Sequence, residues 1–400
     1  MVILNLSSKS TIPPLGGIVP NIFFYYLCTQ VYLSAEVLPF FNPLETNTKS
    51  TSTAKIEIQG FIANDPVSLD DFFHDWKGAY HPKNGNNAAL EFARIDAGSE
   101  IDDGYYLGYF YQRDTLIKSN KGFVDGYYAV KNKLHFPTDK FYELALGIEG
   151  IDRQGVVLSK SFLLYDSGDH CIEAGIAGYL SYDVDVQHGS LSGTGVLHTD
   201  NSYSAYAKAD YHFIDNLLYD GWDSDAERNT DRTFGIGYGM HLALTYVNRV
   251  YRFKIHMVAN DLLAHSHWKN LPYSHDITIN TKNQTIGDNG YVEYNPTVSG
   301  WEIYKDFTQT VETKYHMDIS KIFLETYGVE IGFDGVDYLH MPYMAFSKYF
   351  QTKKVEFLYE YRFGSVGIKY QDENFYLSIL ANGFSHASTV GISGGYTYHF

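Results

Sequence analysis

From residue 389 to residue 400 the chain alternates without a break between two kinds of position. Val390, Ile392, Tyr396, Tyr398 and Phe400 fall on one face with Gly394, while Thr389, Gly391, Ser393, Gly395, Thr397 and His399 fall on the other. Successive side chains of a strand point to opposite faces, so one face here is apolar and aromatic and the other is small and polar. The same period runs through residues 234–246, 251–259, 311–319 and 355–363. These stretches last roughly ten to fifteen residues, against about 5–6 for a typical strand and about 9–11 for one that spans a bilayer. The pattern therefore predicts strands whose oily faces meet lipid and whose polar faces line a lumen. Tyr246, Tyr251 and Tyr398 near strand ends suit the aromatic girdles of such barrels.

Counted back from the C-terminus, strands are predicted near 388–400, 374–381, 365–371, 354–363, 342–350, 325–337, 309–322, 250–263, 231–247 and 202–213. Earlier ones are predicted near 189–198, 170–184, 155–165, 140–151, 123–134 and 104–113. The fold class that follows is all-β: a transmembrane, antiparallel, up-and-down β-barrel of about 16 strands, within a range of about 14–18, even-numbered as single-chain bacterial barrels are. Segments 55–63 and 88–97 either supply two first strands or form a periplasmic or plug segment. The expected organisation is a leader over 1–35, an N-terminal segment over 36–103 and the barrel over 104–400. With the last residue at the periplasmic face, the long connections 214–230 and 264–308 fall outside and the tight ones at 248–249, 323–324 and 351–353 fall on the periplasmic side, as barrels of this kind require.

Composition narrows the classes further. The 400 residues carry 47 acidic and 30 basic side chains, a formal charge of −17, which is the wrong sign for a nucleic-acid footprint. Tyr numbers 36 and aromatics reach 16%, far too rich for a disordered chain. The leader has one cation, Lys9, an apolar stretch from Ile22 toward Leu33, and small residues at Ser34 and Ala35, the layout of a secretory signal. Cys28 lies inside it, which leaves Cys171 alone and permits no internal disulfide. The C-terminal residues Tyr396, Tyr398 and Phe400, with Gly395 and Ser393 between and before them, resemble the assembly signal of Gram-negative outer-membrane β-barrels. That resemblance implies a cell outer-membrane location and engagement of the barrel-assembly machinery through the last strand. No narrower subfamily is indicated.

On this register the lumen carries Arg252, Lys254, His256, Glu312, Lys314, His316, Asp318, Glu356, Glu360 and Arg362 as pore-lining candidates, with His241 beside them. Mixed charges at alternating positions suit a water-filled interior, so the expected function is a porin-like passive channel for small hydrophilic solutes, as a monomer or a homo-trimer among lipid and lipopolysaccharide. The 264–308 loop, with Trp268 and Trp301, is similar to the porin loop that folds inward and narrows the pore. All four Trp (76, 222, 268 and 301) are expected outside the regular strands.

Two alternatives stand beside the channel. One is a lipid-modifying hydrolase using His386 and Ser388, since His386-Ala-Ser388 is similar to the His-x-Ser of outer-membrane lipid A deacylases and phospholipases; a Ser nucleophile needs an adjacent base. The other is a plugged structural or adhesive barrel. Asp223, Asp225 and Glu227 place carboxylates two apart in an acidic loop, but the Gly and distal Glu of a Ca²⁺ loop are missing. His265 and His267 form half of a metal pair at best. No cofactor is expected.

Overall fold

A computed structural model describes residues 36–44, 53–74, 76–102, 105–199, 203–214, 233–280, 284–286, 292–294, 297–324, 326–350, 352–384 and 386–399. The leader, Phe400 and the acidic residues Asp223, Asp225, Glu227 and Trp222 lie outside the described residues. The chain forms an antiparallel sheet that closes on itself: β1 (Thr53–Asn64) pairs with β18 (Thr389–His399), joining Thr53 to His399 and Ala63 to Thr389. From β1 the wall runs through β2 (Asn86–Asp102), β3 (Tyr105–Asn120), β4 (Lys140–Asp166) and β5 (His170–Leu197). Beyond β5 come β6 (Tyr203–Phe213) and β7 (Gly235–Asn248), then β8 (Phe253–Asn280). A small hairpin follows, β9 (Gln284–Ile286) with β10 (Val292–Tyr294). The wall resumes with β11 (Thr297–Thr310) and β12 (Lys314–Phe323), and then β13 (Tyr327–Val336) and β14 (Leu339–Phe350). It is completed by β15 (Lys353–Glu360), β16 (Ser365–Gln371) and β17 (Phe375–Ala381), which leads to β18.

Fourteen positions around the wall hold these strands, because two positions are each filled by two consecutive elements. β6 pairs with the upper part of β5 and β7 with its lower part, and both then face β8. β11 and β12 likewise follow one another along β8. The count is thus at the low end of the expected range: segments 55–63 and 88–97 both enter the wall, as β1 and β2, while four of the sixteen other expected strands are lost. Residues 140–151 and 155–165 belong to one strand of 27 residues, and 170–184 and 189–198 to one of 28. Residues 202–213 and 231–247 share one position. Residues 123–134 are largely helical, not a strand: α2 spans Lys121–Lys131, capped by the Asn120 side chain, which accepts from Phe123 N at 2.8 Å. Its alternation of Val124, Tyr128 and Val130 passes for period two, but the segment is helical, with Val124 and Ala129 buried.

The oily faces look outward. Leu180, Ile331 and Val366 are 60–63% exposed, whereas the inward Asp334, Glu360 and Thr389 are at 0%. Among the described residues no helix is long and apolar enough to cross a membrane; the crossing is made by strands. A closed sheet with a lipid-facing apolar belt and polar groups inside is an outer-membrane β-barrel, and that is where this chain resides. The tight turns at 167–169, 249–252 and 372–374 sit on one rim with both barrel ends, which marks it as periplasmic. The other rim carries a short helix α1 (Leu69–Phe73), α2, and the upper halves of β4, β5 and β8. A 28-residue strand is roughly 90 Å long at about 3.3 Å per residue, far beyond a hydrocarbon core of about 30 Å, so this part of the wall stands above the membrane.

The described strands of the 264–308 segment that pair with the sheet therefore do not fold into the pore. Residues 265–280 and 297–310 continue the wall as β8 and β11. Trp268 sits in β8 and is 1% exposed, and Trp301 sits in β11 and is exposed, so two of the three described Trp lie within strands. Trp76 lies in the connection after α1 and is buried beneath α2 with Val67 and Val124.

Candidate functional site

What fills the lumen is the chain's own N-terminal segment. Val37 through Pro43 are buried inside the barrel, and their backbone polar groups need partners that no neighbouring strand supplies. Inward side chains of the wall supply them. Asp334 Oδ2 accepts from Val37 N and Leu38 N at 2.6 and 2.8 Å. Gln59 accepts from Phe40 N at 2.8 Å and donates to Phe40 O at 3.2 Å. Asn260 accepts from Phe41 N at 2.7 Å and donates to Phe41 O at 2.8 Å. Two side-chain amides thus reproduce the paired bonds of a β-ladder on a segment that is not a strand. Phe41 packs beside Tyr106 and His241, with the Arg94 guanidinium over its ring at 5.2 Å. On the opposite wall Gly175 admits the segment closely: a Cβ there would lie 2.7 Å from Pro43.

Around this strap runs a belt of charge. Arg94 holds Asp96 through two bonds of 2.7 and 2.8 Å and donates to Gln112. Gln112 donates to Asp114, which accepts from Lys314 Nζ at 2.9 Å. Arg153 meets Asp261 at 2.7 Å, and the Tyr179 hydroxyl donates to the same carboxylate at 2.8 Å. Asp261 reaches the belt because β8 bulges: Asp261 and Leu263 have φ of +62° and +52°, a left-handed conformation that non-glycine residues rarely adopt, and the β7–β8 register shifts beside them. A second cluster sits beneath the strap, where His316 lies between Asp334 at 2.5 Å and Asp318 at 3.1 Å. His256 contacts Asn42 at 3.0 Å and Thr245 at 2.7 Å.

Toward the outer rim the lining changes character. Phe61, Leu90, Phe92, Leu116, Leu339 and Met341 are all 3% exposed or less and form one apolar cluster with Val37, Leu38 and Phe40 of the strap. Beside it, a small cavity of about 30 Å³ lies between β2–β4 and β11–β13. Its apolar lining is Phe92, Leu116, Ile151, Val311 and Val336; Asp114, Gln309 and Lys314 supply polar groups, with Glu149 and Glu312 at its edge.

The residues expected to line an open pore separate into two sets. His256, Lys314, His316, Asp318, Glu356 and Glu360 are buried inside. His256 meets Asn42 of the strap, and His316 meets Asp318. Lys314, Glu356 and Glu360 pair with Asp114, Lys354 and the backbone of Arg362 and Phe363, while Lys254 stands half-buried at the start of β8. Arg252 is exposed in a periplasmic turn. Glu312 lies in the break between β11 and β12, 3.6 Å from Lys118. Arg362 is in the outer connection after β15, bonded to Asp65 at 2.6 Å. The expected water-filled channel is not what these residues form. A 14-position wall is narrower than one of 16, and strap, ion pairs and apolar cluster occupy it. The strap's anchors Gln59, Asn260 and Asp334 escaped the sequence reading, as did Arg153, Asp114 and Asp261. Their one visible trace is a polar residue repeated two apart inside an otherwise apolar strand, as in Arg94-Ile-Asp96 and Gln112-Arg-Asp114.

The hydrolase candidates are not assembled. His386 is exposed, and the Ser388 hydroxyl accepts from Asn382 Nδ2 at 2.7 Å rather than facing an imidazole. His265 and His267 bond to Thr310 and Thr308 on the outer face. No acidic, His or Cys cluster able to hold a metal occurs among the described residues. Tyr396 and Tyr398 face lipid, 37% and 39% exposed.

No family model and no curated protein matches this sequence. Solved structures do share its general form. A deletion mutant of the monoaromatic hydrocarbon channel TodX is 12% identical, with 88% of this chain and 91% of that one covered and a TM-score of 0.41. The P. putida toluene transporter TodX is 10% identical over 90% and 92%, TM-score 0.40. The outer membrane protease OmpT from Escherichia coli is 9% identical over 89% and 100%, TM-score 0.25. At these values the likeness is one of barrel form, and the character of the lumen rests on the residues that line it.

Proposed function

We propose that this barrel is a gated outer-membrane channel for small solutes of mainly apolar character, rather than a passive pore for hydrophilic ones. The observation that carries this reading is the apolar cluster at the outer end of the lumen, Phe61, Leu90, Phe92, Leu116, Leu339 and Met341. A hydrophilic solute would have to shed water to pass such a layer, at a cost of several kcal/mol per polar group; an apolar one gains there. The strap supports the gated character. It is held to the wall by side chains and not by a continuous ladder, so it can be displaced without breaking the barrel.

Reconstitution tests the reading. Vesicles holding the full chain should take up toluene faster than xylose, a polar solute of similar size, while planar bilayers show little stepwise current. Removing residues 36–44 should produce current steps. Equal uptake of both solutes would instead leave a passive, unselective pore, and uptake of neither a plugged structural barrel.

A further inference from the structure

Above the membrane the wall becomes an open sheet in the order β4, β5, β6, β8, β11, and its two edges differ. The ladder between β3 and β4 ends at Ser119 and Leu146, so residues 140–145 of β4 form one edge. That edge is covered. The Asn120 side chain donates to Glu143 O and accepts from Ala145 N, both at 3.1 Å, at the start of α2. β11 forms the other edge. It pairs with β8 alone, because β13 ends at Val336 opposite Lys314. Among the described residues the backbone of Trp301–Lys305 meets no strand on its outer side. An uncovered edge is a template for another strand. Trp301 is 70% exposed, with Ile303 and Tyr304 exposed beside it. Lipid does not account for them. The last exposed apolar side chain described in β8 is Leu263, and Trp301, opposite His275, stands roughly 30 Å or more further along the strand at about 3.3 Å per residue.

We propose that this edge docks a second copy of the chain standing on a facing membrane, β11 against β11, antiparallel and centred on Ile303. Register shifts between Ser299 and Trp301 and between Lys305 and Phe307 bound the regular run at Trp301–Lys305, and Ile303 is its middle. A two-fold axis through Ile303 sets Trp301 opposite Lys305 and Glu302 opposite Tyr304, each pair occurring twice. An indole face attracts an ammonium group, and a phenol hydroxyl donates to a carboxylate. Moving the centre by one residue sets Glu302 against Glu302 or against Asp306, and like charges directly opposite are unfavourable. A copy in the same membrane presents its β11 running the same way, with Glu302 level with Glu302 and Lys305 level with Lys305; only a copy from a facing surface presents it reversed. One such short pairing is weak. Many copies on two apposed membranes act together, and avidity then holds the surfaces. The contact is independent of what the lumen passes.

Clustering of phosphatidylcholine vesicles that carry the full chain tests the pairing, read as fluorescence transfer between vesicles of two colours. Native vesicles should cluster with one another and ignore vesicles of lipid alone. Ile303→Lys and Ile303→Asp each set like charges at the centre, so either population by itself should cluster at least about tenfold more slowly. Mixed together, the two variants should cluster at close to the native rate, because the central side chains are then of opposite sign. A second series carries the test should either variant lack the heat-modifiable gel mobility of a folded barrel. Trp301→Lys sets like charges against Lys305 and should slow clustering, and adding Lys305→Trp should restore it by exchanging the two ends. Native vesicles that stay dispersed overturn the proposal, as do native vesicles that cluster with lipid alone. So does a charged variant that clusters unhindered, a mixture no faster than its components, or an exchange that restores nothing.

Discussion

At the scale of single residues, the strap hangs on a few inward side chains. Asp334 is the central one, because a single carboxylate oxygen takes both Val37 N and Leu38 N while the other meets His316. Asp334→Ala leaves two buried N–H groups unpaired, each worth about 1–3 kcal/mol. The strap should loosen while the barrel persists, seen as faster labelling of a cysteine placed at residue 38 and as more frequent current steps. Above the membrane, His212 offers a pH-dependent counterpart. Burial pushes its imidazole down from 6.5 to about 4, with the cationic Lys305 and the neighbouring His188 adding to the shift. Its neutral form stacks between Phe307 at 3.9 Å and Tyr273 at 4.2 Å. The unfolded chain therefore binds a proton that the folded one refuses, and stability present above pH 6.5 is lost as pH falls toward 4. Urea unfolding at pH 7 and pH 5 should show this loss in the native protein and a smaller one in His212→Phe. Little of this was legible in the sequence. Period two places His256, Lys314, His316 and Asp318 inside, but nothing local tells Asp334 that its strap partners Val37 and Leu38 lie 297 and 296 residues away.

At the scale of elements, alternation did its work wherever a strand has one oily and one polar face, as in β7, β12, β15 and β18. It failed in two ways. Strand length is underestimated where polar residues interrupt the pattern, at Asp152–Gln154 in β4 and Asp185–His188 in β5, so each of these strands reads as two. Helix α2 is hidden because Val124, Tyr128 and Val130 also fit a period of two. The physical determinants of α2 are the Asn120 cap and Gly122, where a Cβ would fall 2.1 Å from Glu143 O on β4. Gly122→Ala must lift the first turn of α2 off β4, since a backbone carbonyl cannot move aside. Proteolysis of folded protein at residues 121–139 should speed up, with the barrel's resistance unchanged. Asn120→Ala should do the same more mildly, at about 1 kcal/mol.

At the scale of the whole molecule, closure and inversion are the robust features: oily residues out, charge and amide groups in. That much follows from solvent alone, since a bilayer leaves no backbone group unpaired at an edge. Whether the interior is open does not follow, because an aqueous lumen and a packed one both select polar inward residues. Here the packed interior joins ion pairs, strap and apolar cluster, and breaking one buried ion pair exposes its partners. Asp261→Gly keeps the left-handed backbone but strips Arg153 and Tyr179 of their shared acceptor. Arg153 keeps Asp114 at 3.4 Å, so a loss below the roughly 3–5 kcal/mol of a fully broken buried pair is expected, measurable as a lower denaturation midpoint of the whole barrel in detergent.

The shared wall position of β6 and β7 has a consequence for assembly. Because each of the two is stitched independently to both β5 and β8, the peptide link between Ile214 and Thr233 does not hold the hoop shut. Two separately synthesised pieces, one ending after residue 214 and one beginning at residue 233, should recombine into a whole cylinder, and a tag or a cargo domain spliced between them should ride on the cell surface without opening a seam.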